Sequence, residues 1–287
     1  MLTLSRWNKR KGIEGPVSQV FVYIITAITI GIVLLPLYIT FTMSIKSNFE
    51  MLRPIWTLPR NPLWSNYAAG FGSITKNMLN SIIVSLSSTV LMVFISSGVA
   101  YVFVRHNFPL KEFFFTMIIT LMVIPSVLSL TPQYLLYTSL GLKNSWFSLI
   151  IPYVVGGQVG AIFLFRTFMS QHPKELYEAA RIDGANDWHI YLRLCLPLSV
   201  PILMLQGLNV FGALYNDYMW PMLMIEDDKK QMLIPVLKTL TQITVGAYKE
   251  DGISYALYML SGIPLVFTTF FGLKFFINGE FASGLKL

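Results

Sequence analysis

The sequence predicts an all-α, polytopic membrane protein with six transmembrane helices. Composition is the first observation behind this. Of 287 residues, 54% are hydrophobic and only 12% charged, about half the charge that covers a soluble domain. The mean hydropathy is +0.61. The second observation is six apolar runs, each long enough for the roughly 20 residues that cross a bilayer. The third is the proline-, glycine- and charge-rich chemistry of the segments between them. Together these exclude an ordinary cytosolic enzyme, a disordered chain and a secreted disulfide scaffold. The single cysteine, Cys195, permits no intrachain disulfide.

Residues 1–16 form a cytoplasmic N-terminal segment carrying Arg6, Lys9, Arg10 and Lys11. The apolar run 17–43 begins like a signal peptide. It is too long for one and ends without a small-x-small cleavage site, so it reads as an uncleaved first span. Segment 46–76 combines Pro54, Pro59 and Pro62 with Trp56, Trp64 and Tyr67, the chemistry of an interfacial loop with aromatic anchors. The second span covers 77–104. A short basic turn, 105–112, leads to a third span over 113–131, and the fourth covers 146–165. After the polar stretch 166–197 come the fifth span, 198–216, the loop 217–254 and the sixth span, 255–276. Pro125, Pro152 and Pro264 fall inside spans, where neighbouring groups can satisfy the freed backbone. Gly156 and Gly160 make a small-xxx-small pair suited to close helix approach.

The net charge of +7 resembles a nucleic-acid binder's, but basic residues flanking spans explain it more simply. Twelve of the 21 lysines and arginines fall on the side of the N-terminus, which favours both ends inside. His106, His172 and His189 lie far apart, and no metal-ligand spacing occurs. No phosphate-binding Gly-x-x-x-x-Gly-Lys-Ser/Thr loop is present. Gly156-Gly157-Gln158 resembles an ATPase signature, yet it sits in an apolar span that nucleotide does not reach.

Seven of the 35 charged residues cluster in 174–193. Pro173 suits the first turn of a helix. Glu175 complements the helix dipole, and Leu176, Ala179 and Ala180 share one face. Gly184 is a natural stop, and Asn186 or Asp187 can cap a second short helix running to Pro197. This predicts a helix–turn–helix outside the membrane. Its small alanines beside Glu178 suit docking into a partner's groove; an amphipathic helix resting on headgroups is the other reading.

Glu178-Ala179-Ala180, three residues, Gly184, nine residues, Leu194, one residue, Leu196-Pro197 resembles the EAA signature of ABC-importer membrane subunits. Leu194 stands where that family usually has Ile. The form Glu-Ala-Ala-Arg-Ile-Asp-Gly-Ala is similar to the carbohydrate-uptake branch, the permeases of maltose and related sugars. Phe165-Arg166, Ser44-Ile45-Lys46, Asn216-Asp217 with Trp220-Pro221, and the tail from Phe275 to Leu287 extend the resemblance over nearly the whole chain. The resemblance implies a type-I transmembrane domain over 17–287 with its core at 77–276. It implies a cytoplasmic coupling loop between the fourth and fifth spans, in which Glu178, Ala179, Ala180, Arg181, Asp183 and Gly184 meet an ATP-binding subunit. It implies N-in/C-in topology in a bacterial or archaeal cytoplasmic membrane. The implied partners are a second permease in a heterodimer, two ATPases that use ATP and Mg, and an extracytoplasmic solute-binding protein. No cofactor or nucleic acid is bound by this chain.

Sugar needs hydrogen-bonding groups along its path. Asn77, Ser81 and Ser85 recur on one face of the second span, Asn209 lies in the fifth and Gln158 in the fourth. Interhelical hydrogen bonding is the other use of such a stripe. Thr241 and Gln242, in the outer loop, are candidates for binding-protein contact. Two alternatives stand beside sugar import: the same machine with an amino-acid or peptide cargo, and a channel or membrane enzyme without an ATPase.

Overall fold

The computed structural model describes residues 16–243 and 251–284, with side chains described for 19–241 and 252–272. Among the described residues every regular element is helical. The chain divides into two compact units: residues 1–70 with 246–259, and residues 71–245 with 260–287.

In the first unit α1 spans Pro16–Ser44. Its side chains from Gln19 to Tyr38 are exposed, as suits a helix facing lipid or another subunit. The hydroxyls of Thr26, Thr29 and Thr40 donate to carbonyls four residues earlier at 2.8–2.9 Å. The helix therefore carries these polar groups into hydrocarbon already satisfied. Past α1, Ser47 caps the short helix α2, Asn48–Met51. Buried Asn66 donates to the Ser44 carbonyl at 2.9 Å, and the Ser44 and Tyr67 hydroxyls meet at 2.7 Å. Trp56 and Trp64 are exposed, as an interfacial loop requires.

Helix α3 runs unbroken over Ser65–Arg105. It starts twelve residues before the predicted span, because hydropathy locates where lipid begins rather than where the helix begins. At 1.5 Å per residue its length is about 60 Å, twice the roughly 30 Å hydrocarbon core. The third span is not straight. Helix α4, Lys111–Thr120, continues in a tight turn to Val123; after a second tight turn, α5 covers Leu130–Ser139. The two arms are bent by 89°. Pro125 forces the preceding Ile124 to extended backbone, φ −77° and ψ 117°, so the helix cannot continue through it.

Helix α6 is Phe147–Met169 and α7 is Lys174–Ile182. Next come α8, Asp187–Ile190, a wide turn over Tyr191–Cys195, and α9, Leu196–Leu198. Helix α10, Val200–Tyr215, follows a 76° bend. That bend separates the predicted second arm of the helix–turn–helix from the fifth span. It falls between Pro197 and Pro201, where backbone donors are missing. Helix α11 is Met219–Met224, α12 is Leu233–Ile243 and α13 is Asp251–Gly284. Among the described residues four helices are long and apolar enough to cross a membrane, and up to six spans result if each bent pair is one.

The main core of the second unit joins α3, α6 and the segment around α10 through Met92, Ala100, Val154, Phe165, Cys195 and Ile202. Close approach uses Gly157, where an added Cβ would lie 3.2 Å from Met92, and Gly272, which packs directly on Leu208. Gly156 faces open space and Gly160 nearly so. The predicted small-residue pair is thus not the contact that packs this chain internally. A second cluster around Val84, Leu149, Trp220 and Met224 holds α11 against α6.

Candidate functional site

The end of α6 leads through Ser170–Pro173 into α7, and most of α7 is exposed. Tyr177 is the exception, at 5% exposure. It anchors the helix, while Glu178, Ala179, Asp183 and Gly184 face outward and Ala180 is half-buried. Glu178 makes no ion pair among the described residues. The helix stops as its sequence requires. Gly184 adopts φ +79°, a conformation that disfavours any side chain. Ala185 N–H bonds to the Ala180 carbonyl and Gly184 N–H to that of Arg181, both at 3.0 Å. This pair of bonds is the Schellman arrangement, which satisfies the last free carbonyls. Asn186 then caps α8, accepting from His189 N–H at 2.9 Å. Arg181 pairs with Asp187 at 3.5 Å across the elbow. Leu176, Ala179, Ala180, Asp183, Ile190 and Arg193 line part of a shallow cavity of about 320 Å³ between α7 and α8. The small alanines therefore leave a recess beside the projecting Glu178.

What fixes this elbow to the membrane helices escapes the sequence pattern. Arg105, the last residue of α3, sends Nη2 to the Met169 carbonyl at 3.3 Å and the His172 carbonyl at 3.2 Å. Its guanidinium lies 3.6 Å from the centroid of the Tyr177 ring. The Tyr177 hydroxyl and His172 Nδ1 are 2.7 Å apart. Burial, helped by the Arg105 cation, pushes the His172 imidazole down to about 4, so it is neutral at pH 7. Burial raises the Tyr177 phenol, so that hydroxyl keeps its proton. A second clasp lies nearby. Arg166 on α6 pairs with Glu112 at 2.8 Å and covers the Phe115 ring at 3.6 Å, tying α4 to α6.

The polar stripe of α3 holds protein backbone. Asn77 donates to the Gln231 carbonyl at 3.0 Å, and Asn80 to those of Lys229 and Gln231 at 3.1 and 3.0 Å. Ser81 accepts from the buried Leu233 N–H at 2.7 Å. Ser85 is buried on the same helix. Asn144, at φ 61°, accepts from Glu226 and Asp227 N–H through one oxygen, and Trp146 donates to the Lys230 carbonyl at 3.1 Å. Asn77 and Ser81 are thereby brought onto one segment. Gln158 is half-buried on α6 and Asn209 exposed on α10, and neither bonds to that segment among the described residues. Thr241 donates to the Leu237 carbonyl within α12, and the Gln242 side chain lies outside the described residues. No cluster of metal-ligating side chains occurs among the described residues.

Residues 92–278 match the family model of the binding-protein-dependent transport system inner membrane component. The chain is 30% identical over 244 residues to the probable ABC transporter permease protein YurM of Bacillus subtilis, covering 85% of this chain and 80% of that one. It is 30% identical over 276 residues to the sn-glycerol-3-phosphate transport system permease protein UgpE of Brucella abortus, covering 93% and 97%. Its fold is similar to a chain in the crystal structure of a bacterial ABC transporter involved in the import of the acidic polysaccharide alginate. The TM-score is 0.78 at 23% identity, over 92% of this chain and 99% of that one.

Proposed function

Because the chain belongs to the family of binding-protein-dependent transport system inner membrane components, we propose that it forms half of the pathway of an ATP-driven sugar importer. It is a multi-pass transport subunit of the membrane and works with ATPase and binding-protein partners. Within that frame its cargo is a sugar or oligosaccharide delivered by an extracytoplasmic solute-binding protein. The names of its relatives support a polyhydroxylated cargo: a glycerol phosphate for UgpE and an acidic polysaccharide for the structural neighbour.

The exposed, Schellman-stopped helix α7 carries this reading. It presents Glu178, Ala179, Ala180, Arg181, Asp183 and Gly184 from a buried Tyr177 root, a shape suited to seating against an ATP-binding subunit. Closure of two ATPases, which use ATP and Mg, then rocks the helices between outward- and inward-open states. This chain binds no cofactor of its own. Both termini and α7 lie in the cytoplasm, and segments 46–76, 132–145 and 217–254 lie outside. A second, different permease completes the path, and it covers the surface that exposes Asn209 on α10. Gln158 and Asn209 supply hydrogen bonds to the passing sugar, and Thr241 and Gln242 meet the binding protein.

The test is Glu178→Lys in the complete transporter in proteoliposomes. Membrane insertion stays intact while ATP-driven uptake is lost. Wild-type uptake by the inserted variant removes α7 from the ATPase contact.

A further inference from the structure

Helix α3 has a partner at each end of its membrane-crossing length. At one end Asn77, Asn80 and Ser81 hold the backbone of residues 229–233 through four hydrogen bonds of 2.7–3.1 Å. At the other end Arg105 holds the carbonyls of Met169, the last residue of α6, and of His172, and its guanidinium carbon lies 3.6 Å from the centroid of the Tyr177 ring. About 42 Å of helix separates Asn77 from Arg105 at 1.5 Å per residue. No proline interrupts it, whereas two other candidate spans are bent by 89° and 76°. A continuous α-helix does not shorten, so displacement at one end reaches the other.

The inner joint depends on the shape of arginine. One guanidinium nitrogen, Nη2, reaches both carbonyls while the guanidinium carbon lies 3.6 Å from the centroid of the Tyr177 ring; a lysine ammonium is a single point charge and cannot sit at the carbonyls and over the ring at once. Moving α7 and its preceding turn away from α3 uncovers the guanidinium and takes that donor from the His172 carbonyl. We propose that Arg105 is a positioning residue of the transport cycle. It locks α7 to the inner end of α3, so that the rod bonded outside to the 229–233 segment carries the ATPase-facing helix with it. This rests on the reading that α7 docks on the ATPase.

The experiment uses the complete transporter in proteoliposomes, with Arg105→Gln, Arg105→Lys, Tyr177→Leu and Tyr177→Phe. Two quantities are read: the ratio of binding-protein-stimulated to basal ATP hydrolysis, and amide exchange over 174–182 against 150–165. In Arg105→Gln basal hydrolysis persists, the stimulation ratio falls about tenfold, the size of a typical coupling, and exchange accelerates in 174–182 alone. Tyr177→Leu behaves the same way and adds little in combination. Tyr177→Phe keeps the ring under the cation and retains stimulation. Arg105→Lys loses most of it.

A folded Arg105→Gln with an unchanged ratio overturns the proposal, as does exchange that rises equally through α6. Should Arg105→Gln fail to assemble, full stimulation in both Arg105→Lys and Tyr177→Leu overturns it. Wild-type stimulation in Glu178→Lys as well as Arg105→Gln sinks the docking reading itself. A defect in Glu178→Lys alone sinks only the positioning role.

Discussion

The Tyr177 hydroxyl and Nδ1 of His172 share a hydrogen bond of 2.7 Å, made with the imidazole neutral at pH 7. The imidazole is held down at about 4, below its ordinary 6.5, by burial and by the Arg105 cation. The Tyr177 phenol is raised above its ordinary value, so it does not titrate in this window. Between pH 6.5 and 4 the detached, solvated histidine binds a proton that the docked one refuses. Stability of the elbow therefore rises with pH across that window. That contribution is fully present above about pH 6.5 and is lost as pH falls towards 4. Amide exchange over 174–182, measured from pH 7.5 to 4.5 and corrected for intrinsic rates, should accelerate as pH falls. His172→Asn, which keeps an acceptor and cannot protonate, should flatten the curve. An equal pH dependence in both proteins rules out this histidine as the cause.

Gly184 stops α7 at φ +79° with no atom within 4 Å of the Cβ an alanine would add. Gly184→Ala therefore meets backbone strain alone, about 1–2 kcal/mol, and Gly184→Val adds β-branching to it. The Ala variant should retain most ATP-driven uptake, and the Val variant should lose it with insertion intact. Wild-type uptake in Gly184→Val would show that the elbow tolerates redirection.

Ser81 is the acceptor for the N–H of Leu233, and both residues are buried. Ser81→Ala strands that donor, a cost of about 1–3 kcal/mol. Its amide exchange should quicken at Leu233 and in 229–233, with α7 unaffected while Asn77 and Asn80 still hold. Protection unchanged at Leu233 would show that another acceptor replaces the hydroxyl.

These bonds mark where the sequence stops being legible. Local chemistry was enough for the elbow: Pro173, Gly184 and Asn186 sit within 14 residues of one another, and the structure uses Gly184 and Asn186 as their types demand. Hydropathy was enough to place the apolar runs. It was blind to the breaks beside Pro125 and Ser199, because a proline in a span can be tolerated or can break it, and neighbouring groups decide which. The polar stripe of α3 was visible, but its partners lie about 150 residues downstream. Arg105 looked like an ordinary basic flank of a span. Its carbonyl partners are 64 and 67 residues away, and periodicity carries no information at that range. One signal was available: Tyr177 is the single aromatic residue in the otherwise charged, alanine-containing helix Lys174–Ile182.

Topology gives a separate test. Asp183 is exposed at the elbow, and Asp228 lies in the loop secured by Asn144 and Asn80. With Cys195 buried and silent, a single cysteine at either position reports its own side. Asp183→Cys should react with a membrane-impermeant maleimide only in inverted vesicles, and Asp228→Cys only in intact cells. The reverse pattern would invert the orientation of the chain.

Asn209 is exposed on α10, in register with exposed Ala213 and near-register Asn216 at the helix end. Asn209 thus exposes an amide where a lipid-facing helix would be apolar. If it borders the sugar path, Asn209→Leu removes a hydrogen bond without touching α7 or its clasp. Basal ATP hydrolysis and ATPase association should then be unchanged, while uptake at limiting substrate falls about tenfold, the range for one lost hydrogen bond to a hydroxylated ligand. Gln158→Leu, on the half-buried face of α6, should act in the same direction. A variant with normal uptake kinetics at every substrate concentration removes its residue from the path. A variant that loses ATPase association instead places the side chain in subunit packing.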